Sequence, residues 1–62
     1  MIDIIIADDH RLVAEGIALL IDESKSIRVV AIADSIGQAK DLIIKHHPRV
    51  VLLDIAMPDG DG

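Results

Sequence analysis

Three short runs of aliphatic, mostly β-branched residues recur along this chain, and stretches with helical spacing separate them. The first run, Ile2 to Ala7, is nearly all apolar and rich in Ile. That pattern is expected of a strand buried on both faces of a parallel sheet, not of one with a solvated side. The second, Arg28-Val29-Val30-Ala31-Ile32-Ala33, and the third, Val50-Val51-Leu52-Leu53, have the length and composition of strands. Between the first two, Leu12, Val13, Gly16, Ile17, Leu20 and Ile21 fall at helical spacing, with Asp8 or Asp9 as the cap and an end near Glu23-Ser24. Between the second and third, Ser35 and Gln38 match a capping box. Ile36, Ala39, Leu42, Ile43 and His46 then mark a helix that Pro48 stops at His47.

The order strand, helix, strand, helix, strand implies right-handed crossovers and a parallel α/β sheet. The first and third runs are the most uniformly apolar. The first strand is therefore placed centrally, in the spatial order 2-1-3, with one helix on each face. A doubly wound sheet continues with further strand-helix units, so the 62 residues read as half a domain whose third strand has an unpaired aliphatic edge. At this size one core supplies no more than roughly 3–5 kcal/mol, and there is no cysteine to add cross-links.

Charge and composition remove several classes of function. Six basic residues are scattered among eleven acidic ones, for a net charge of −5, which argues against a grip on a phosphate backbone by this segment. Aromatic residues are absent, so base stacking is excluded. No apolar run approaches the ~20 residues of a membrane span, and Met1 leads into Ile2-Asp3-Ile4 without a basic segment and cleavage site, which gives an expectation of a cytoplasmic protein.

Ligands of open parallel sheets bind beyond the carboxyl ends of the strands, where the connections change direction. In the order 2-1-3 that point lies between the first and third strands. Asp8 and Asp9 close the first and Asp54 closes the third. Neighbouring strands lie about 4.8 Å apart, so the carboxylates should converge. Like charges that close are compensated most simply by a hard divalent cation. Magnesium accepts one or two carboxylates, keeps several waters and leaves positions for phosphate oxygens. It also neutralises charge on a transferring phosphoryl group while a carboxylate oxygen attacks in line. Asp54 is the nucleophile by position, and the loop after it offers a backbone carbonyl, that of Ala56, as another ligand.

Each residue also has a plainer reading. Asp8 or Asp9 alone is an ordinary helix cap, and Asp54 before Met57-Pro58-Asp59-Gly60 an ordinary start of a turn; the three together are harder to dismiss. His46 and His47 point in different directions and suit a helix C-terminus, so they are read as structural. His10 lies beside the acidic residues, close enough to influence them, but nothing in the sequence assigns it a catalytic role. Gly16 costs up to about 1 kcal/mol within a helix, and close packing against the sheet would account for it.

Asp8-Asp9 after an apolar strand, followed by Asp54-Ile55-Ala56-Met57-Pro58-Asp59-Gly60-Asp61-Gly62, resembles the receiver domain of two-component response regulators over the whole chain. The resemblance implies the N-terminal half of a flavodoxin-like, doubly wound sheet, the family's order being 2-1-3-4-5, with residues 1–62 as a truncated receiver domain. It implies that Asp54 accepts a phosphoryl group from a sensor histidine kinase or a small acyl phosphate. Asp9, Asp54 and the Ala56 carbonyl would hold Mg2+, and Asp8 would act through ordered water. Such a chain is a phosphoacceptor and not an enzyme acting on a separate substrate, although the parent domain can promote its own phosphorylation and dephosphorylation. The stretch Ala7 to Gly16 is further similar to regulators with a LuxR-type helix-turn-helix output domain, so DNA would be reached only through a domain outside these residues.

The chain departs from the family by ending before strands four and five, with the hydroxyl residue and lysine that contact the phosphoryl group. Poor phosphorylation or none is therefore expected of residues 1–62 alone, together with self-association through the third-strand edge. Other readings make different demands. A dinucleotide-binding half-domain needs G-x-G-x-x-G where this chain has Asp8-Asp9-His10-Arg11-Leu12-Val13, and a P-loop fails for the same reason. A magnesium-dependent aspartyl phosphohydrolase also wants carboxylates at this edge, but with two aspartates one residue apart instead of adjacent. A non-catalytic dimerisation module would leave the acidic edge solvated.

Overall fold

A computed structural model describes residues 1–54. The elements run β1 (Ile2–Ala7), α1 (Arg11–Asp22), β2 (Ile27–Ala33), α2 (Ile36–His46) and β3 (Val50–Leu53). β1 pairs in parallel with both neighbours, giving the order β2-β1-β3. The expected α/β architecture and strand order are therefore the observed ones, and β2 begins one residue earlier than its sequence pattern suggests.

The central strand supplies both cores because alternate residues point to opposite faces. Ile4 and Ile6 lie on one face with Ala14 of α1, while Ala7 lies on the other with Ala33 and with Ala39 of α2. One helix thus covers each face. Ile5 and Ile6 are the largest fully buried side chains. Asp3 is the polar interruption in β1. It lies opposite Arg28 on β2, whose guanidinium donates to both carboxylate oxygens at 3.0 and 3.2 Å. This exposed pair satisfies the charge and contributes little to stability.

A register shift between Ile4 and Ile5 leaves Val30 as an extra residue in β2, since Ile4 faces Val29 and Ile5 faces Ala31. Such a bulge breaks the period of two. Val29 and Ile32, three residues apart, consequently pack into the same cluster beneath α1, while Ala33 turns to the α2 side.

The face of α1 that meets the sheet differs from the one expected. Ala14 is buried and Ile17, Ala18 and Ile21 pack against the Ile4–Ile6 cluster, whereas Leu12 is 85% exposed and Val13 and Leu20 are also exposed. Both stripes have helical spacing, and the one with two alanines lets the helix axis approach the sheet more closely. Gly16 lies on the outward side, and a Cβ there would meet nothing within 4 Å among the described residues, so close packing against the sheet is not its reason.

The helix ends also have specific causes. Ser35 caps α2, its Oγ accepting from the Gln38 N–H at 3.1 Å, while the Gln38 Oε1 accepts from the N–H of Asp34. The return contact is one residue earlier than in a reciprocal capping box. His47 ends α2 in the left-handed region (φ 49°, ψ 56°), its N–H donating to the Ile43 carbonyl. His46 and His47 thus serve the helix end, as expected. No helix among the described residues is long and apolar enough to cross a membrane.

Candidate functional site

The parallel pairing of β1 with β3 brings Ala7 opposite Leu53, so the residues that follow, Asp8 and Asp54, leave the sheet side by side. Backbone hydrogen bonds fix both exits. The Asp54 N–H donates to the Ala7 carbonyl, and the Asp8 N–H donates to the Ala33 carbonyl, each at 2.9 Å. Carboxylates at the two positions are therefore held by the sheet itself and not by a loop. They border an open groove of ≈ 440 Å³ whose lining includes Ala7, Asp8, His10, Val13, Leu53 and Asp54.

Asp9 and His10 complete the group. One donor atom from each of Asp8, Asp9, His10 and Asp54 can be chosen so that all four lie within 4.8 Å of one another. The expected convergence of the three aspartates is thus present. Neither Asp8 nor Asp9 is the N-cap of α1, however. The helix begins at Arg11, which puts the cap at His10, whose side chain makes no capping hydrogen bond. Instead, Asp8 Oδ1 accepts from the His10 N–H at 2.8 Å, a local turn that leads the chain from β1 into α1.

The His10 imidazole is turned to the carboxylates. Its Nδ1 lies 3.0 Å from Asp9 Oδ1, 3.3 Å from Asp8 Oδ1 and 3.8 Å from Asp54 Oδ2. Three carboxylates around one ring nitrogen favour the imidazolium. The hydrogen bond with Asp8 and the fields of Asp9 and Asp8 raise the His10 pKa above its ordinary value. Asp8 moves the other way. The His10 backbone N–H holds its pKa below the usual carboxylate value, against the opposing effect of burial. The sequence put His10 near the cluster; the direction of its ring follows from the turn between β1 and α1, which no residue pattern specifies.

The donor set fits a divalent cation. Three carboxylates supply the hard oxygen ligands that magnesium and calcium take, and their side chains are only 12%, 29% and 23% exposed at Asp8, Asp9 and Asp54. Ala56, whose backbone carbonyl is the remaining expected ligand, lies outside the described residues, as does the Met57-Pro58-Asp59-Gly60 turn.

A parallel sheet in the order β2-β1-β3 with an acidic cluster at the ends of β1 and β3 is the arrangement that the resemblance to receiver domains implied, and the comparisons agree on the family. Residues 4–62 match the response regulator receiver domain, and the chain belongs to that family. Over 59 residues it is 36% identical to "Oxygen regulatory protein NreC" of Staphylococcus haemolyticus and 42% identical to "Probable transcriptional regulatory protein NarL" of Mycobacterium tuberculosis. Each alignment covers 95% of this chain and 27% of the relative, so the chain spans about a quarter of the length of those proteins. No solved structure matches the chain.

Proposed function

We propose that the chain is the phosphoacceptor part of a response regulator, with Asp54 as the residue phosphorylated. The observation that carries this reading is the meeting of Asp8, Asp9 and Asp54 at the adjoining ends of β1 and β3, in a chain of the receiver family. In the reaction, an Asp54 carboxylate oxygen attacks the phosphorus of a phosphohistidine or acyl phosphate. The new O–P bond forms as the bond to the leaving imidazole nitrogen or carboxylate oxygen breaks. The Asp54 N–H···O Ala7 bond keeps the attacking group at the sheet edge. Asp9, Asp54 and the carbonyl of Ala56 would hold Mg2+, with Asp8 acting through water. The cation supplies charge neutralisation for the transferring group when bound.

A sensor histidine kinase is the proposed donor. Output through a DNA-binding domain of the LuxR type accords with a relative described as a transcriptional regulatory protein, and a cytoplasmic location accords with that role. Residues 1–62 taken alone are proposed to be a truncated receiver domain and a weak acceptor, because the hydroxyl residue and lysine implied by the resemblance lie outside them. Self-association of the 62-residue chain is proposed through β3. Val50, Leu52 and Leu53 are exposed there, and β3 is an outer strand of the described sheet.

The test is incubation of the protein at its native length with acetyl phosphate and Mg2+, read by intact mass, beside an Asp54→Asn variant. One added phosphoryl group that is absent from the variant is the expected result. A protein that stays unmodified, or a variant modified to the same extent, overturns the reading.

A further inference from the structure

We propose that the outward face of α1 is where two copies of the protein meet, the helices running antiparallel and crossing at Gly16. This surface is separate from the acidic edge and from the β3 edge, so it stands whether or not Asp54 is the phosphoacceptor.

Leu12, Val13, Leu19 and Leu20 are 85%, 52%, 70% and 70% exposed, on the side of α1 turned away from Ala14, Ala18 and Ile21. At 3.6 residues per turn they form one band around Gly16. A contiguous apolar band on a solvated helix marks a surface that meets a partner, and its symmetry points to a second copy. Leu12 and Val13 lie four and three residues before Gly16, and Leu20 and Leu19 lie four and three after it. A two-fold axis at Gly16 therefore sets Leu12 on Leu20 of the second copy and Val13 on Leu19 of the second copy, an isologous contact. Gly16, with no Cβ, lets the two axes approach at the crossing, at a cost in helix propensity that an alanine would avoid in dilute solution.

The charges of α1 fix the direction. Arg11 opens the helix and Asp22 closes it with Glu23 behind, while the first turn holds no acidic residue and the last no basic one. Each charge thus sits at the end that the helix's own dipole disfavours. An antiparallel neighbour reverses this. Arg11 and Asp22 are eleven residues apart, close to three full turns, so they share a flank, and the two-fold axis brings Arg11 level with Asp22 of the second copy. A parallel neighbour would set like charges together instead. Glu15, on the same flank, is already met by Arg11 of its own helix at 3.2 Å. Four side chains from each copy make a contact smaller than the roughly 1,200 Å² that stable complexes bury, so the pairing is weak and depends on concentration.

Sedimentation equilibrium of the native-length protein up to about 1 mM tests the inference. Arg11, Leu19 and Asp22 are exposed, so substitutions there should leave the fold intact, as far-ultraviolet circular dichroism checks. Leu19→Glu should weaken self-association by about tenfold or more, because it places a charge in the contact. Arg11→Glu and Asp22→Lys should each weaken it too. An equimolar mixture of those two variants, in which every facing pair is again of opposite sign, should associate as the unsubstituted protein does. A protein that stays monomeric across the range overturns the proposal. Association that Leu19→Glu leaves unchanged overturns it as well, and so does a mixture that associates no better than either variant alone. Should Leu19→Glu slow phosphoryl transfer from a sensor kinase while the unsubstituted protein remains monomeric, the band serves the donor and the second copy is excluded.

Discussion

The Asp54 N–H donates to the Ala7 carbonyl at 2.9 Å, extending the β1–β3 ladder by one rung beyond the strand and setting the third aspartate beside the first two. Because the rung uses the backbone, a side-chain change at Asp54 should leave the sheet intact. Asp54→Asn removes one of three neighbouring negative charges, so the metal-free variant should melt at a higher temperature than the parent. Differential scanning calorimetry in a chelating buffer checks this; a lower Tm would show that the Asp54 charge is stabilised by more than it is repelled.

Asp9 offers a different test, because it lies in the cluster without closing a strand. Loss of a ligand should cost at least the roughly tenfold in affinity that loss of a supporting contact costs. Asp9→Asn should therefore weaken Mg2+ binding by about tenfold or more, as measured by isothermal titration at low ionic strength. An unchanged affinity would remove Asp9 from the ligand set.

Two groups give the metal-free protein a pH signature. His10 has a folded pKa above its ordinary 6.5, so its stabilising contribution is fully present below pH 6.5 and is lost as pH rises through the raised value. Asp8 has a folded pKa below 3.8, so its contribution is present above pH 3.8 and is lost as pH falls through the lowered value. Both act together between pH 3.8 and 6.5. Thermal melts without divalent metal should show the stabilisation from this pair within that window, and His10→Ala should flatten the alkaline limb.

Much of this arrangement is legible in the residues, and the rest is hidden for identifiable reasons. The Ile-rich β1 and the aliphatic β3 announce a buried parallel sheet, and chain order then puts Asp8, Asp9 and Asp54 at one edge. The face of α1 is not legible, because apolar residues surround most of the helix. Size suggests Leu12 and Leu20 for the core, whereas the close approach of helix to sheet selects Ala14 and Ala18. The bulge at Val30 has no marker, since Val29, Val30 and Ala31 all suit a strand. Its effect, bringing Val29 and Ile32 to one face, emerges only from pairing with β1. The cap of α1 is misread for a related reason: Asp8 and Asp9 are both good caps, but the turn spends Asp8 on the His10 N–H before the helix begins.

Gly16 tests the corrected orientation of α1 directly. It lies on the exposed side of the helix, with nothing among the described residues within 4 Å of where a Cβ would sit. Gly16→Ala should then stabilise the fold by up to about 1 kcal/mol through helix propensity alone. Urea denaturation of the native-length protein measures it. Destabilisation would mean that this side of α1 is covered by something in the folded protein, and that the glycine is there to admit it.

The core makes the strongest demand. Ile6 is 1% exposed and joins Ile4 to Ala14 beneath α1, so truncation to alanine leaves a cavity between sheet and helix. Buried Ile→Ala substitutions cost about 2–5 kcal/mol, whereas a core of this size supplies roughly 3–5 kcal/mol in all. Ile6→Ala should therefore unfold the 62-residue chain at 25 °C, with loss of helical circular dichroism, while Leu12→Ala, on the exposed stripe, should be nearly silent. A native spectrum in Ile6→Ala would mean that contacts beyond the β1–α1 core, such as pairing of copies along β3, supply the missing stability, and sedimentation of the variant would then find it associated.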